Sequence, residues 1–588
     1  MTGTVTTMQD NQELQLTGVD DVLIRGTINV LGQGSDLAIQ SNKWVYLDTE
    51  VNVPDQVRIY GGVDLNGTTN TSSTPRQGAS VYVDRTSTIN TTDAASQVDI
   101  RGAEDVDIRG AVIAGGTVGS TGVTWKAPGD GVIKVIAGQQ VYVDSGLQAS
   151  KDVHVTGGTP GSDDSRVAVW VTSAGGMNAA GIASSGGGAV EIRGDGGLSM
   201  LGTITSGATL DAQGTPTWNS ADSTVLVDMQ GAAIIGGNVP DAQGNQVEVG
   251  GTIRAKASVD LRGKNLAMDP AVRVPGGGVV TAEDSDGAIK IVGSAGDAQI
   301  EGFVIAGGKV ERVNDAGGKL LGLNPSYYDG DSTIVVRAGH QVKIGQVLRA
   351  GKEVDVVGGV DPQAMGPIMP PDLSMRSIVI LGSGHVEASR PNASVNLAAP
   401  GKIEILPAPA TYQITPAGFA AAADGKLTSD VTLKLKLTKG GSDVDATATL
   451  MKTDTDNNTS VTDLATDLQA ALATATGGTD ITVVHNNGKL LFRSTNKFEF
   501  QATGSSHANL LGLMGLTGSA KIEAARPTAI VAAGAGSTVN VGGITLDVLI
   551  KRSAGDINTT VTVARATADN TSVADLVTDL NEALKNAD

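Results

Sequence analysis

QVDIRGAEDVDIRGAVIAGGTV, residues 97–118, sets Val98 and Ile100, then Val106 and Ile108, then Val112 at alternate positions and closes each run with glycine. Alternation at period 2 over so few residues puts the apolar side chains on one face of a strand and cannot build a helical stripe. Gly102, Gly110 and the pair Gly115-Gly116 stand where a chain turns without a Cβ penalty.

The phrase returns. AIKIVGSAGDAQIEGFVIAGGKV, residues 288–310, repeats it with the same Ile-Ala-Gly-Gly at 305–308, and AVEIRGDGGLSMLGTITSGA begins a third copy at Ala189. A second phrase, VIAGQQVYVDSGLQASKDVHVTGG, ends at Gly158 and matches VRAGHQVKIGQVLRAGKEVDVVGG ending at Gly359. The separations are 359 − 158 = 201 residues and, for the Ile-Ala-Gly-Gly pair, 305 − 113 = 192. Short glycine-cornered strands with inexact long-range repeats predict a mainly β protein built as a right-handed single-stranded β-helix, a β-solenoid, over residues 21–406. Residues 1–20 are a lead-in or cap. Within this region 206–222, 316–332 and 361–375 interrupt the pattern and predict excursions of the kind that carry binding faces.

Composition agrees with a stack rather than a globule. Of 588 residues 79 are glycine and only 3% aromatic, which suits a narrow interior of Val, Ile, Leu and Ala better than an aromatic-rich enzyme core. The net charge of −20, from 62 acidic and 42 basic residues, repels nucleic acid and anionic membrane surfaces and leaves cations or neutral glycans as partners. Without cysteine there are no disulfides or thiolate metal sites. No apolar run is long enough to cross a membrane, so no membrane insertion is expected, and MTGTVTTMQDNQE lacks the basic and apolar regions of a signal peptide.

At Leu406-Pro407-Ala408-Pro409 the grammar changes. VTLKLKLTK at 431–439 and 446–451 read as strands, and NNTSVTDLATDLQAALATA as an amphipathic helix with Val461, Leu464, Leu468 and Leu472 on one face. Ser460 or Thr459 caps it and Asp463 lies in the first turn, where a carboxylate meets the helix dipole favourably. ITVVHNNGKLLFRS predicts a hairpin turning at Asn487-Gly488. The capped helix recurs as DNTSVADLVTDLNEALKNA, with Leu576 at 576 − 464 = 112 residues from Leu464. The expected units are an α+β repeat over 407–527 and a second, truncated copy over 528–588, cut from a longer tandem array.

The capped-helix phrase, with its hairpin and the following Ala508-Asn509-Leu510-Leu511-Gly512-Leu513, resembles a repeat of giant bacterial surface proteins, among them the group named for an N-terminal LEPR-XLL motif. It is similar in outline to the small inserted motif of flagellar hook proteins. The glycine-punctuated region resembles the β-helix of filamentous haemagglutinin-type adhesins. These resemblances imply a non-catalytic structural or adhesive segment of an exported, cell-surface or extracellular bacterial protein. Its partners would be cell-surface glycans or other surface proteins, with self-association of chains a further expectation. The LEPR-XLL motif itself is absent, and no catalytic residues carry over.

Candidate chemistry is sparse, and no cofactor other than calcium is expected. Asp454 to Asn458 opens like an EF-hand loop, but Thr459 replaces its glycine and Ala465 its final glutamate, so a strand-to-helix turn explains it better. Acidic corners at Asp163, Asp164, Asp329 and Asp331 are the calcium candidates, and Tyr327 and Tyr328 beside them the ligand-loop candidates. Asp99, Asp105 and Asp107, near Arg101 and Arg109, raise the alternative of a polysaccharide-degrading β-helix enzyme or tailspike-like depolymerase; solubilising outward charge accounts for them as well. A calcium-dependent glycan-binding module is a second alternative. Trp44, Trp125, Trp170 and Trp218 are scattered and read as packing residues, and the five histidines share no metal-ligand spacing.

Overall fold

The computed structural model of the chain describes residues 2–563 apart from 63–78, 120–121, 127–128, 159–166, 173–174, 180–186, 211–215, 241–245, 265–269, 315–319, 329, 360–375, 382–383, 406–411, 415–424, 440–441, 479, 487–488, 495, 507–520, 524–529, 534–537, 543 and 551–556. The protein is mainly β, and its parallel sheets are consistent with a β-helix-like fold. One 20-residue rung shows how the sequence builds it. Val132–Ala137 lies on a first face, Val141–Val143 on a second and Gly146–Ala149 on a third; Asp152–Gly157 then pairs in parallel with Val132–Ala137, 152 − 132 = 20 residues on.

The first face is a 14-stranded parallel sheet from Glu13–Gly18 to Thr538–Gly542. Its in-register pairing aligns Leu37, Val57, Val98, Ile133, Val153 and Val190 in one interior column, and Ile39, Ile59, Ile100, Val135, Val155 and Ile192 in the next. All twelve are at most 1% exposed, so the alternation of the sequence is an alternation of inside and outside. Each aliphatic packs on its counterpart in the neighbouring rung, and a substitution in a column perturbs two neighbours rather than a distant centre.

Additions to the minimal rung recur every third rung. Rungs that open at Gln56, Asp152, Ser258 and Glu353 are separated by 152 − 56 = 96, 258 − 152 = 106 and 353 − 258 = 95 residues. All four take in extra chain at the corner between the first and second faces, and all four re-enter the second face through a one-residue register shift, at Ser80, Ala168, Ala271 and Ser377. The reason lies in the corner glycines: a Cβ on Gly61, Gly157, Gly263 or Gly358 would lie 1.8–2.1 Å from the carbonyl oxygen of that bulged residue. Two such units separate the matching phrases of the sequence, which accounts for their 201- and 192-residue spacing.

The following rungs, opening at Gln97, Ala189 and Ala288, add an antiparallel hairpin at the corner between the third and first faces. Two of these occupy the predicted excursions in part: Ala208–Leu210 with Pro216–Trp218, and Gly308–Asn314 with Leu320–Tyr327. The excursion at 361–375 lies outside the described residues. Two further hairpins, Gly116–Gly119 with Gly122–Trp125 and Gly236–Pro240 with Gln246–Gly250, stand where the sequence reads as uninterrupted stack. Their strands alternate as the rung strands do, and alternation does not say which strand is the partner.

The α+β unit is interposed within a rung. Lys402–Ile405 pairs on the second face with Arg376–Ile380, and Ile530–Ala533 supplies the third-face strand beside His385–Ala388. Thr538–Gly542 then continues the first face beside Ser394–Ala398. Both returning strands lie within 528–588, the stretch read from sequence as a second α+β copy. Thr2–Thr7 and Glu13–Gly18, in the expected lead-in, likewise pair with stack strands. Between 405 and 530 the helix Val461–Thr476 forms as predicted: Ser460 accepts from the Asp463 amide, Asp463 accepts from the Ser460 amide, and Gly477 closes the helix at φ 69°. Its Leu464, Leu468 and Leu472 pack with Leu435, Phe492 and Phe500 in a core separate from that of the stack. Strands Ile481–Asn486 and Lys489–Ser494 form the predicted hairpin. The second helix, around Leu576, lies outside the described residues.

Candidate binding faces

Among the described residues the second face carries the most concentrated group of outward aromatic side chains. Register places Tyr46, Tyr82, Asp107, Tyr142 and Trp170 opposite one another on five successive strands. Tyr46 and Tyr82 stack with centroids 4.9 Å apart and planes 7° from parallel, and Trp44 meets Tyr46 edge-on at 6.2 Å. Asp107 occupies the aromatic position on the intervening rung, and there Arg109 lays its guanidinium 5.2 Å from the Tyr82 centroid and 5.7 Å from that of Tyr142. The cation continues the stack across the rung that has no ring.

Two positions further along each strand runs a polar column. Asp48, Asp84 and Asp144 follow their tyrosines in a repeated Tyr-x-Asp, and Arg109 follows Asp107. Tyr46 donates to Asp84 at 2.7 Å, Arg85 reaches Asp144 at 2.8 Å, and Thr172 donates to Asp144 at 2.5 Å. The hydrogen bond to Asp84 pushes the Tyr46 phenol up to about 12 and holds the Asp84 carboxyl below the usual carboxylate range. Burial raises the Tyr82 and Tyr142 phenols as well. At neutral pH the face therefore presents neutral phenols beside the ionised Asp84 carboxylate.

The sequence carries a signal for this face in the recurrence of Tyr-Leu-Asp at 46–48 and Tyr-Val-Asp at 82–84 and 142–144. Its meaning depends on knowing that the three tripeptides occupy one strand position. Trp44 and Trp170, read as scattered packing residues, belong to this face, and Trp170 is 36% exposed.

The third face differs. Gly115, Gly207 and Gly307 adopt φ of 79°, 87° and 72°, and each turns the chain into a hairpin whose first residue faces an aromatic: Gly116 opposite Trp125, Ala208 opposite Trp218, Gly308 opposite Tyr327. Beneath them, residues that alternate outward are nonetheless buried, among them Ile113, Asn178, Thr205, Thr281 and Ile305. Trp218 Nε1 donates to Glu283 at 3.1 Å, and Lys256 lies 5.7 Å from its ring. Burial raises the Glu283 carboxyl above its ordinary range, against the opposing pull of Arg254 and the Trp218 hydrogen bond. Tyr327, the last residue of its hairpin, is half-buried against the third face, with the Arg349 guanidinium 3.5 Å from its centroid and Val279, Ile305 and Val310 beside it. Tyr328, the next residue, is exposed at 41%.

Of the calcium candidates, Asp163, Asp164 and Asp329 lie outside the described residues. Asp331 is described, and its carboxylate pairs with Arg390 and, at 4.0 Å, Lys352. Among the described residues no group of three or more histidines and carboxylates is placed to hold a metal ion, and no helix is long and apolar enough to cross a membrane. Asp99, Asp105 and Asp107 do not all share one face. Asp99 is on the first, clamped by Arg101 at 2.8 and 2.9 Å and bonded by Tyr60. Beyond the corner at Gly102, Asp105 and Asp107 lie two positions apart on the second-face strand Asp105–Ile108, where Asp105 accepts from the Gln140 amide and Asp107 is held by Arg109, so two of the three share a face and Asp99 does not. His154 points outward on the first face and meets Glu191 at 2.9 Å. No family model, curated protein or solved structure matches this chain.

Proposed function

We propose that this chain is a stiff, non-catalytic segment of a large exported bacterial surface protein, a right-handed single-stranded β-solenoid rod with an α+β spacer, which holds a binding face away from the cell for adhesion. What supports the reading is the continuity of the interior: two aliphatic columns run through in-register parallel strands, so every rung is backed by its neighbours through backbone hydrogen bonds and side-chain packing. Such a stack resists bending and local proteolysis because its strand backbone is paired on both sides. The carboxylates on the outside meet guanidinium groups, as Asp99, Asp107 and Asp260 do, an arrangement that keeps a sheet face soluble.

Two measurements test it. Fourteen rungs at about 4.8 Å predict a rod on the order of 65 Å along the stack, visible by electron microscopy of the full chain. Incubation with acidic and neutral polysaccharides is expected to release nothing; sustained appearance of reducing ends or unsaturated products makes the chain a depolymerase instead.

A further inference from the structure

We propose that the second face, over the five rungs from Tyr46 to Trp170, binds an uncharged glycan lying along the stack. The inference names a ligand class for the face that the rod is taken to present, and so rests on that reading.

Four observations lead there. First, the chain has four tryptophans and seven tyrosines, and Tyr46, Tyr82, Tyr142 and Trp170 stand on this face on four of five successive rungs, with Trp44 beside Tyr46 and Asp107 on the rung between Tyr82 and Tyr142. Stacking among themselves satisfies the rings only in part, since Trp170 remains 36% exposed. On its far side the register neighbour is Ser199, whose short side chain supplies no ring. Second, the strands beneath already exchange their backbone hydrogen bonds with the rungs on either side, so a peptide cannot add to this face as a strand and any ligand must be read by side chains.

Third, the polar column beside the rings carries carboxylates at Asp48, Asp84 and Asp144, which accept from Thr86, Tyr46 and Arg85 and have further lone pairs, and guanidinium groups at Arg85 and Arg109, paired with Asp144 and Asp107, a mixture that suits hydroxyl groups, each both donor and acceptor. An anionic polymer would meet those aspartates on a chain of net charge −20. Aromatic edges and faces beside such groups match the alternating C–H and O–H surface of a sugar ring. Fourth, the surface has a stop. The hairpin of Gly236–Pro240 and Gln246–Gly250 leaves the stack at Gly236, whose carbonyl accepts from Ser199 at 3.5 Å, one rung beyond Trp170. Four rung spacings of about 4.8 Å separate Tyr46 from Trp170, a track on the order of 20 Å and regular enough for a polymer with a regular repeat.

The test titrates the full chain with cello-, xylo-, manno- and chito-oligosaccharides, with oligogalacturonate as the anionic comparison, by tryptophan fluorescence and calorimetry. At least one uncharged oligosaccharide should bind saturably and more tightly as its length grows toward the track length. Trp170→Ala and Tyr142→Ala should each weaken that binding at least tenfold and Trp170→Phe recover part of it, with circular dichroism unchanged. Tyr328→Ala, on exposed chain next to a third-face hairpin, should leave affinity within twofold. Binding of oligogalacturonate alone, no binding of any uncharged probe at millimolar concentration, or affinity indifferent to Trp170 and Tyr142 overturns the proposal. So does concentration-dependent self-association abolished by Trp170→Ala, which would make the face a contact between copies. Chromatography of the same mixtures separates this failure from that of the rod reading, because cleavage products refute the rod reading whether or not binding is seen.

Discussion

The second and third faces are made from the same rungs and the same alternating strands, yet one keeps its aromatics outward while the other is roofed. The cause is where the chain leaves the stack. Additions at the corner after the third face begin with a left-handed glycine, fold back as hairpins and end in Trp125, Trp218 or Tyr327 above third-face strands. From Tyr46 to Trp170 the second face is crossed by no described hairpin, and Gly236–Pro240 with Gln246–Gly250 first interrupts it one rung further on. Outward in the alternation therefore means partly exposed on the open stretch of the second face and buried where a hairpin covers the third.

The largest test of that contrast is Ile305. It points outward on its strand but is fully buried between Val279 and Val310 under the hairpin of Gly308–Asn314 and Leu320–Tyr327. Ile305→Ala should cost about 2–4 kcal/mol of local stability, as an interior isoleucine would. Ile136, outward on the unroofed first face and 37% exposed, should lose less than about 0.5 kcal/mol on the same change. Hydrogen exchange of the amides in Phe303–Ala306 and Val132–Ala137 reads both locally, which suits a stack that need not unfold as one unit. Equal losses at the two sites would remove the distinction between the faces.

A smaller effect is expected at the turn that starts the roof. Gly307 has φ 72°, and a Cβ there would lie 2.5 Å from the Ser332 hydroxyl. Gly307→Ala should cost about 1–2 kcal/mol for the left-handed conformation alone, with the serine contact adding to it. Loss of exchange protection should centre on Gly308–Asn314 and leave second-face strands untouched.

Much of this plan is legible in the sequence, and what is not has a common cause. Period-2 runs and corner glycines reveal the strands, and the capped helix at Val461–Thr476 is announced by Ser460, Asp463 and the leucine spacing, all local signals. The hairpins are announced only in part: 206–222 and 316–332 stand out as interruptions, whereas Gly116–Gly119 and Gly236–Pro240 look like rung strands until their antiparallel partners are known. The site residues follow the same rule. Asp99 and Asp107, eight positions apart, seem neighbours in the sequence and sit on different faces, whereas Tyr46 and Tyr82, 36 apart, are stacked. Adjacency here is set by rung length, which insertions change freely.

Beneath the roof, Glu283 gives the contrast a pH dependence. Its folded pKa is raised by burial, so between the ordinary carboxylate range and that raised value the folded state holds a proton that the unfolded state has released. Local stability around Val279–Ala282 should accordingly rise as pH falls from neutral through the raised carboxyl value. Glu283→Gln should flatten the slope while keeping an acceptor for Trp218. A slope unchanged in the variant would assign the dependence to another group.

On the open face the corresponding effect has the opposite sign and is the smallest. Tyr46 donates to Asp84 and lowers its pKa, so this pair contributes stability above the unfolded carboxylate pKa and loses it as pH falls through the folded value. Both groups are close to solvent, and screening keeps the contribution within about 0.5 kcal/mol. The pKa itself is the better observable. Tyr46→Phe keeps the ring that stacks on Tyr82 and removes only the hydroxyl, so NMR titration should show the Asp84 carboxyl moving up toward its ordinary range while the tyrosine transition near pH 12 loses one phenol. If Asp84 titrates identically in the variant, its low pKa comes from the Thr86 and Arg85 backbone amides instead, and the Tyr-x-Asp pairing is a matter of packing between rungs rather than of charge.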